Sequence, residues 1–399
     1  MTAERLLTTE EVARRLGVKK ATVYAYVSRG LLGSRRNADG KESLFAEPEV
    51  AAFVAGRKRP ATLPDAPAIH TGITLITGDE LFFRGHAARE LATTASYESV
   101  ANLLWTGELR HVPMAPDPEL RALAEAVTAP LPPNARLADR LRVAVAATAA
   151  ADRLRFDTTP AAVIARGRTI IGTMVAALPV RAPAPHRPGL AGTLWARLTE
   201  RAPTPADLVA LNAALVLLAD HDLAASTFAA RVAASTRAHP YAVVQAGLAV
   251  LDGPLHGAAS DLAFGLLTEA VRSQDPVGTI AGRLRADGRV AGFGQPLYPA
   301  GDARATVLLG LLPEPAEPIR AALAGVTAAM DRHSGAAPNI DLALAALALT
   351  SGMAADAGEA VFAVARTAGW IAHALEEYAD EPSRFRPSGR YAGRRPSAD

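Results

Sequence analysis

The sequence has no cysteine among its 399 residues. Disulfide frameworks, thiol nucleophiles, and haem, iron–sulfur or zinc sites held by cysteine are therefore excluded together. Half of the residues are hydrophobic, yet no apolar run reaches the roughly 18 residues that a membrane-spanning helix needs. The N-terminus shows neither the apolar core of a signal peptide nor the arginine-rich pattern of a transit peptide. We expect a soluble, cytoplasmic protein with no membrane contact.

Lysine is scarce and unevenly placed. All four lysines lie in the first 60 residues, which hold twelve basic and seven acidic side chains, whereas the remainder is slightly acidic and uses arginine alone. Such a shift in composition is typical of a joined module, and the chain is long enough for at least two folding units. Prolines in residues 57–60 and 63–67 disfavour helix and keep the chain extended. The sequence therefore predicts a linker, with a domain boundary near residue 60.

The basic module shows the order helix, turn, helix, wing, helix. Thr9 is the predicted N-cap of a first helix that Gly17 ends, and a second helix runs as far as Gly30. The pair Asp39–Gly40 favours a hairpin turn, and residues 47–57 predict a third helix.

This order resembles the winged helix-turn-helix of MerR-like and excisionase-like DNA-binding domains. A recognition helix needs side chains that reach base edges and cations that neutralise phosphates. On that resemblance, the residues expected to contact DNA are Lys20, Thr22, Tyr24, Tyr26, Arg29, Arg35 and Arg36. The alternative is a solvated basic helix in a protein–protein module, because a local charge of +5 is modest.

The rest of the chain predicts a mainly α-helical domain. Apolar residues recur at helical spacing in the segments 97–106, 118–129, 135–151, 205–219, 241–251 and 359–378. Strand-like patterns are few, with residues 73–78 the credible one. Neither a G-x-x-x-x-G-K-[ST] phosphate loop nor a G-x-G-x-x-G motif after a strand is present. Nucleotide-dependent chemistry of those kinds is not expected.

Polar residues interrupt this apolar sequence in several short segments, and buried ionisable groups need partners or a ligand. The segments are 220–221, 253–257, 292–296, 302–304, 338–341 and 366–369. Glycines in two of them allow close backbone approach or aim a side chain from a tight turn. A lone histidine such as His239 or His333 is more often a surface or capping residue, but the joint pattern predicts a site.

The joint pattern resembles citrate synthases and the related methylcitrate synthases over most of the chain. The segment A-D-H-D-L-A-A-S-T-F-A-A-R at 219–231 is similar to the family's A-D-H-E-x-N-A-S-T-F-A-A-R. G-P-L-H-G at 253–257, P-N-I-D at 338–341 and R-T-A-G-W at 366–370 match further family segments. The resemblance implies a mainly α, citrate synthase-like fold of large and small helical subdomains. The implied domains are a winged helix-turn-helix at 1–60, a large domain at 61–255 and 346–399, and a small domain at 256–345.

In that family a carboxylate removes a methyl proton from an acyl thioester, a histidine stabilises the enolate, and the enolate attacks the ketone of oxaloacetate. The resemblance assigns the base to Asp341 and the enolate stabiliser to His256, since so weak a carbon acid needs a preplaced donor. The residues implied to bind the dicarboxylate are His221, Arg304 and Arg366, with Arg386 from a second subunit.

The same resemblance implies the ligands and the assembly. We expect acetyl-CoA or another short acyl-CoA and an oxaloacetate-like 2-oxo acid as substrates. No permanently bound cofactor and no metal are expected, because His221, His256 and Asp341 lack the spacing of a metal site. An arginine supplied by a neighbouring chain implies a homodimer or a higher oligomer.

One position departs from the family pattern. The family's second active-site histidine, in G-F-G-H, is Gln295 in this chain. An amide donates a hydrogen bond but has no transferable proton at accessible pH. Loss of a general acid typically costs a factor of about 10² to 10⁴, so slow condensation is expected. Pro296 and Pro299 stand where many relatives carry basic residues that grip the coenzyme A phosphates.

Three functions stay open at this point. The first is a citrate synthase-type acyltransferase using acetyl-CoA or propionyl-CoA. The second is a transcription regulator whose catalytically weakened domain senses a metabolite and controls DNA binding, and both Gln295 and the basic module favour it. The third, a structural protein without a small-molecule function, is disfavoured by the retained arginines. The sequence favours the enzyme, because a pure sensor has no need of Asp341 as a base.

Overall fold

The computed structural model of the chain describes residues 6–16, 18, 20–28, 32–36, 43–54, 69–185, 189–387 and 393. The chain divides into two compact units, Met1–His70 and Thr71–Asp399. The predicted linker and the predicted boundary near residue 60 lie outside the described residues. Among the helices described, none is both long enough and apolar enough to cross a membrane.

The N-terminal unit is a small mixed domain. Its elements are β1 Leu6–Thr8, α1 Thr9–Leu16, α2 Lys20–Ser28, β2 Arg35–Arg36, β3 Ser43–Ala46 and α3 Glu47–Val54. The strands form an antiparallel sheet in the order β1-β3-β2, with Leu7 opposite Phe45. Val12, Val23 and Val50 pack with these two side chains in a buried core. The predicted Asp39–Gly40 turn lies outside the described residues.

The first helix is capped by Thr8, and the prediction of Thr9 as its N-cap is wrong. The Thr8 hydroxyl accepts a hydrogen bond from the N–H of Glu11 at 3.3 Å, and the Glu11 carboxylate accepts one from the N–H of Thr8 at 2.7 Å. This reciprocal pair is a capping box. Thr9 is buried instead, and its hydroxyl donates to the carbonyl of Ser43 at 3.4 Å.

The second unit is mainly helical, as the sequence predicts. It begins with the strands β4 Thr74–Thr77, β5 Glu80–Phe83 and β6 His86–Ala87. Its first helices are α4 Ala88–Thr94, α5 Tyr97–Thr106, α6 Pro118–Thr128, α7 Leu137–Ala151, α8 Pro160–Ala176, α9 Leu190–Leu198 and α10 Pro205–Leu218. The others are α11 Ala225–Ser235, α12 Pro240–Leu251, α13 Ala259–Ser273, α14 Pro276–Asp287, α15 Ala303–Leu311, α16 Glu317–Ser334, α17 Ile340–Thr350 and α18 Ala357–Ala379. All six helices predicted from periodicity are confirmed, with ends that differ by no more than two residues.

The predicted strand at 73–78 is confirmed as β4, which pairs with β5 in a hairpin. Thr77 lies opposite Glu80, so the connection is the two-residue turn Gly78–Asp79. Both turn residues have positive φ, at 57° and 62°. A type I′ turn requires this of both central residues, which explains the Gly-Asp pair.

Two hydrophobic clusters form the interior of this unit. The larger surrounds α10 and α18 and includes Trp195 and Trp370. The smaller is built from α13, α14, α16 and α17. Helix α17 contributes Leu344 to the larger cluster and Leu342 to the smaller one, so it lies between them. Asp341 therefore lies in the first turn of a helix that joins the two cores.

Helices α10 and α18 meet at a glycine. The N–H of Gly369 donates to the carbonyl of Ala219 at 2.9 Å. A Cβ at position 369 would lie 2.5 Å from that carbonyl oxygen and 2.4 Å from a carboxylate oxygen of Asp220. Because only glycine permits this approach, the end of α10 lies directly against the middle of α18. This contact brings the sequence around His221 next to Arg366.

Candidate active site

His221 lies in the loop after α10, and its side chain is buried. Its Nε2 is 2.8 Å from the hydroxyl of Tyr298. Burial, with the positive charges of Arg304 and Arg366 nearby, holds the pKa of His221 well below its usual range. The imidazole is therefore neutral near pH 7 and acts as a hydrogen-bonding group rather than a cation.

Arg304, the second residue of α15, is buried and clamped by Asp302. Its Nε and Nη2 donate to the two carboxylate oxygens of Asp302 at 2.9 and 2.8 Å. Asp302 is also the N-cap of α15 and accepts the N–H of Ile340 at 3.1 Å. The Arg304 guanidinium lies 5.4 Å from the centre of the Tyr298 ring. This arrangement fixes the arginine, and Nη1, which makes no hydrogen bond to the residues that the structure describes, is left for a further anion.

Arg366 lies in the middle of α18 and is 1% exposed. Its Nε donates to the carbonyl of Leu218 at 2.7 Å. Both terminal nitrogens are buried, yet neither has a hydrogen-bond partner in the described part of the chain. Burial lowers the pKa of Arg366 to about 10, so the group stays charged at neutral pH. Two unpartnered N–H groups on one planar guanidinium match a carboxylate.

A second buried carboxylate, that of Asp220, interacts electrostatically with Arg366. Asp220 accepts the hydroxyl of Thr74 at 2.5 Å and lies 3.3 Å from Nε2 of His373. Although burial opposes its ionisation, His373 and Arg366 lower the pKa of Asp220. The carboxylate offsets part of the arginine's charge without forming an ion pair with it.

His256 lies in a tight turn between α12 and α13. The N–H of Gly257 donates to the carbonyl of Leu251 at 2.9 Å, and a Cβ on Gly257 would lie 2.6 Å from the Leu251 side chain. Nε2 of His256 is 2.7 Å from the hydroxyl of the buried Ser226. Burial and the charge of Arg366 lower the pKa of His256 to about 4. This imidazole is also neutral at pH 7.

One aromatic ring links His256 to Arg366. The ring of Phe362 stands edge-on to the imidazole, with centroids 5.5 Å apart. The guanidinium of Arg366 lies 4.7 Å from the centre of the same ring. Because Phe362 and Arg366 are four residues apart on α18, they share one face of that helix. The turn that carries His256 and the side chain of Arg366 therefore adjoin the same region of the protein interior, around the Phe362 ring.

Asp341 is the second residue of α17. The side chain of Asn339 caps this helix and accepts the N–H of Asp341 at 3.0 Å. Burial raises the pKa of Asp341 to about 7, against the lowering effect of Arg304, and the charge of Asp302 raises it further. A carboxyl group with this pKa exchanges a proton readily at neutral pH, which is what a general base requires.

Gln295 lies on a loop hydrogen-bonded to the segment before Asp341. The N–H of Gly294 donates to the carbonyl of Ala337 at 2.8 Å, and the N–H of Asn339 donates to the carbonyl of Gly292 at 2.9 Å. Gly292 and Gly294 have φ values of 89° and 75°, which favour glycine. Both glycines of the G-F-G-Q segment therefore serve the loop that carries Gln295, whose side chain is half-buried.

The structure brings five of the predicted side chains into one electrostatic cluster. Arg304, Arg366 and His256 all lower the pKa of His221, and the charges of Arg304 and Asp341 act on each other. Gln295 adjoins the N-cap of the Asp341 helix. Arg386 is different, because it is exposed and belongs to the segment after α18.

Three further residues of the site carry no role in the sequence-based prediction. They are Tyr298, Asp302 and Ser226. Tyr298 and Asp302 lie between Gln295 and Arg304 in the sequence, and an acid two residues before an arginine is a weak signal. The bond between Ser226 and His256 joins residues 30 apart and has no signal in the sequence. Within the described residues, no group of three His, Asp or Glu side chains could hold a metal ion.

In the N-terminal unit the candidate DNA-contacting residues of α2 differ in exposure. Tyr24 is 54% exposed, and Lys20 is exposed and paired with Glu10 at 3.0 Å. Tyr26 packs against Phe53, with ring centroids 5.1 Å apart, and is only half-exposed. Thr22 is likewise partly exposed. Of the remaining candidates, Arg29 lies outside the described residues, and only the backbone of Arg35 and Arg36, in β2, is described.

Comparison with protein-family models gives two matches. Residues 62–388 match the model described as citrate synthase, C-terminal domain, and residues 6–58 match the model described as helix-turn-helix domain. The chain is 32% identical to the citrate synthase of Acidithiobacillus ferridurans over 349 residues, which cover 78% of this chain and 89% of that one. It is 29% identical to 2-methylcitrate synthase 2 of Corynebacterium glutamicum over 354 residues, covering 79% and 89%.

Solved structures show the same fold. Citrate synthase of Thermoplasma acidophilum, whose structure is a ternary complex with carboxymethyl coenzyme A and oxaloacetate, aligns with a TM-score of 0.68 at 24% identity. The alignment covers 84% of this chain and 96% of that one. Citrate synthase of Thermotoga maritima aligns with a TM-score of 0.66 at 23% identity, covering 85% and 97%. With the helix-turn-helix match, these likenesses confirm the predicted fold class.

Proposed function

Because the chain belongs to the citrate synthase family, we propose that it joins a short acyl-CoA to oxaloacetate or a similar 2-oxo dicarboxylic acid. The observation that carries this proposal is the buried guanidinium of Arg366, whose two terminal nitrogens lack partners. Leaving buried N–H groups unpaired costs about 1–3 kcal/mol each. A carboxylate ligand removes that cost, so the site is suited to bind one.

The 2-oxo acid is bound by charged arginine side chains and by one neutral histidine. Arg366 grips one carboxylate with two parallel bonds, and Arg304 offers Nη1 to the same ligand. The neutral ring of His221, held by Tyr298, orients the ketone and adjacent oxygen atoms. Arg386 completes the grip from the neighbouring subunit of a homodimer, which agrees with its exposure in the segment after α18.

The acyl-CoA is activated by Asp341 and His256. Asp341 takes a proton from the carbon next to the thioester carbonyl, and its raised pKa favours this transfer near pH 7. The Ser226 hydroxyl donates to Nε2 of His256, so the proton of the neutral ring resides on Nδ1. Nδ1–H then donates to the thioester oxygen as negative charge develops there.

Gln295 polarises the ketone that the enolate attacks. Its amide N–H₂ donates to the ketone oxygen but transfers no proton, so the alkoxide is protonated from water or a neighbouring group. The new carbon–carbon bond gives a citrate-type thioester, and hydrolysis of that thioester releases coenzyme A. We propose no permanently bound cofactor for this reaction.

The subdomain division proposed from the sequence, with a small domain at 256–345, places His256, Gln295 and Asp341 on one part. The hydrophobic cluster of α13, α14, α16 and α17 supports it. Closure of this part over bound substrates excludes water from the enolate.

An assay of thiol release tests the function. The unmodified chain is mixed with oxaloacetate and either acetyl-CoA or propionyl-CoA, beside Asp341→Asn and a control, Asp331→Asn, which changes an exposed aspartate of α16. We expect turnover that Asp341→Asn abolishes and Asp331→Asn leaves intact. Absence of oxaloacetate-dependent thiol release with every acyl-CoA would overturn the proposal.

A second candidate function is a metabolite-controlled DNA-binding regulator. Two features favour this function. Gln295 replaces the general-acid histidine of the family pattern, and the N-terminal unit resembles a winged helix-turn-helix. In this function the exposed Tyr24 and Lys20 of α2, with Thr22, Arg29, Arg35 and Arg36, contact DNA, and the dicarboxylate site senses the metabolite. Oxaloacetate binding without turnover, together with salt-sensitive DNA binding that oxaloacetate changes, would select this candidate over the enzyme.

A further inference from the structure

The C-terminal end of α18 carries a buried carboxylate, Glu377, between two guanidinium groups. Arg231 of α11 donates to it through Nε at 2.5 Å. Arg384 donates through Nε and Nη2 to its two oxygens at 2.9 and 2.6 Å. Glu377 is 0% exposed. A bidentate pair on a buried carboxylate is both strong and geometrically specific.

The segment after α18 is held at three successive residues. The N–H of Ser383 donates to the carbonyl of Ser235 at 2.7 Å. Arg384 is clamped, and its guanidinium lies 4.5 Å from the centre of the Phe385 ring. That ring meets Phe228 edge-on at 5.4 Å. Ser383 has a φ of 54°, a conformation that a non-glycine residue keeps only where its surroundings fix it.

Arg386 follows this anchored triplet directly. It is exposed and makes no hydrogen bond or ion pair to any residue in the part of the chain that is described. Two residues of extended chain span about 7 Å at most. The position of Arg384 therefore limits the positions that the Arg386 guanidinium can reach.

We propose that Arg384 is a positioning residue, anchored by Glu377, that fixes the C-terminal segment so that Arg386 can grip a carboxylate of the 2-oxo acid. The assignment of Arg386 to that ligand rests on the proposed function. The anchoring of the segment does not, since it depends only on the contacts of Ser383, Arg384 and Phe385.

The first test measures anchoring without any substrate. Because the chain has no cysteine, Arg386→Cys provides a single thiol for a nitroxide spin label. We expect a broad, immobile spectrum that sharpens when Arg384→Gln is added. The control is Arg237→Gln, which removes hydrogen bonds to the carbonyls of Glu377 and Asp380 at the same helix end but leaves the triplet's contacts intact. A spectrum that is mobile from the start, or that Arg384→Gln leaves unchanged, overturns the proposal.

The second test uses kinetics of the full-length chain. We expect Arg384→Gln to raise KM for oxaloacetate about tenfold, with little change in KM for the acyl-CoA and a smaller change in kcat. Added to Arg386→Ala, the same substitution should change KM for oxaloacetate less than twofold, because its effect passes through Arg386. An undiminished tenfold effect in the Arg386→Ala background would show that Arg384 acts independently, and would overturn the proposal.

Failure of the proposed function has a separate signature. If the unmodified chain shows no turnover while Arg384→Gln frees the label and Arg237→Gln does not, the positioning of the segment is supported and the enzyme function is rejected.

Discussion

Arg366 donates its Nε–H to the carbonyl of Leu218 and leaves both of its terminal nitrogens buried without partners in the described structure. A buried cation is ordinarily paired, because an unpaired charge in the protein interior destabilises the fold. This arginine is therefore poorly suited to a purely structural role and well suited to an anionic ligand.

The first prediction compares Arg366 with Arg140. Arg140 is also buried, but its terminal nitrogens donate to the carbonyls of Thr128 and Pro132 at 3.0 and 2.9 Å. We expect Arg140→Gln to lower the free energy of unfolding by about 1–3 kcal/mol and Arg366→Gln to leave it unchanged or raise it. In thermal melts, oxaloacetate at 100 times its Kd should stabilise the unmodified chain by about 2.7 kcal/mol and Arg366→Gln not at all. Equal ligand stabilisation of both proteins would contradict the assignment.

The second prediction concerns pH and Asp341. Its pKa of about 7 means that the basic carboxylate is lost below neutrality, so kcat/KM should fall about tenfold per pH unit below pH 7. Glu359 provides the control, because burial also raises its pKa to about 7 but its partner is Arg136, outside the site. Glu359→Gln should keep the acidic limb of the pH profile. If the acidic limb disappears in Glu359→Gln, it reports the ionisation of Glu359, and its assignment to Asp341 is wrong.

Stability gives an independent check on Asp341. Its folded-state pKa lies above the ordinary value of about 3.9, so the folded protein holds the proton more tightly than the unfolded chain. The stability that this carboxyl group contributes is present below about pH 4 and is lost as the pH rises through 7. Asp341→Asn should therefore gain stability relative to the unmodified chain on going from pH 5 to pH 8, measured by denaturant titration.

Local patterns in the sequence were enough to predict nine of the eighteen described helices and the hairpin strand. Helix α5 at Tyr97–Thr106 has the predicted bounds because its periodicity and its end at Gly107 are both visible locally. The cap of α1 was mispredicted although a local signal was present, because only Thr8 has a glutamate three residues later, the spacing of a capping box. The contact of Thr9 with Ser43, which is 34 residues away, has no such local signal.

The site residues, like the helices, could be predicted only where the signal is local in the sequence. His221, Arg304 and Arg366 could be grouped in advance because each lies in a segment similar to a known family. The hydrogen bond between Tyr298 and His221 spans 77 residues, and the unpartnered nitrogens of Arg366 depend on what surrounds them in space. Neither follows from local pattern, since both depend on how α10, α15 and α18 pack.

The third prediction is a gain of function at Gln295. Gln295→His supplies an imidazole that can transfer a proton to the forming alkoxide, so kcat should rise by a factor of about 10². Gln295→Met, of similar length but without a donor, should lower kcat below that of the unmodified chain. Steady-state assays with oxaloacetate and acetyl-CoA measure both. If histidine lowers kcat as methionine does, the loop holds Gln295 for a role other than polarising the ketone.

The fourth prediction separates two tyrosines of α2. Tyr24→Ala should weaken binding to duplex DNA with little change in melting temperature, because this side chain is 54% exposed. Tyr26→Ala should lower the melting temperature, because the ring packs against Phe53. Binding is measured by fluorescence anisotropy over a series of salt concentrations, and the logarithmic slope should stay the same in Tyr24→Ala because an uncharged side chain neutralises no phosphate. Binding that Tyr24→Ala leaves intact would remove this face of α2 from the interface.

The fifth prediction concerns the hydroxyl that holds His256. Ser226 is fully buried, and its Oγ lies 2.7 Å from Nε2 of the imidazole. In the proposed direction of this bond, Ser226→Ala removes the donor that places the proton on Nδ1, so the tautomer able to donate to the thioester oxygen becomes less populated. We expect kcat to fall about tenfold, equivalent to about 1.4 kcal/mol, while KM for oxaloacetate stays the same.

Ser235 at the other end of α11 is the matched control for this prediction. It is also buried, but its hydroxyl donates to the carbonyl of Val232 within its own helix. Ser235→Ala should leave kcat unchanged, because this bond touches no group of the site. Nitrogen NMR of labelled histidine should show the protonated nitrogen of His256 shifting from Nδ1 toward Nε2 in Ser226→Ala alone. A loss of kcat without that shift would mean that Ser226 acts by packing, and the proposed direction of the hydrogen bond would be wrong.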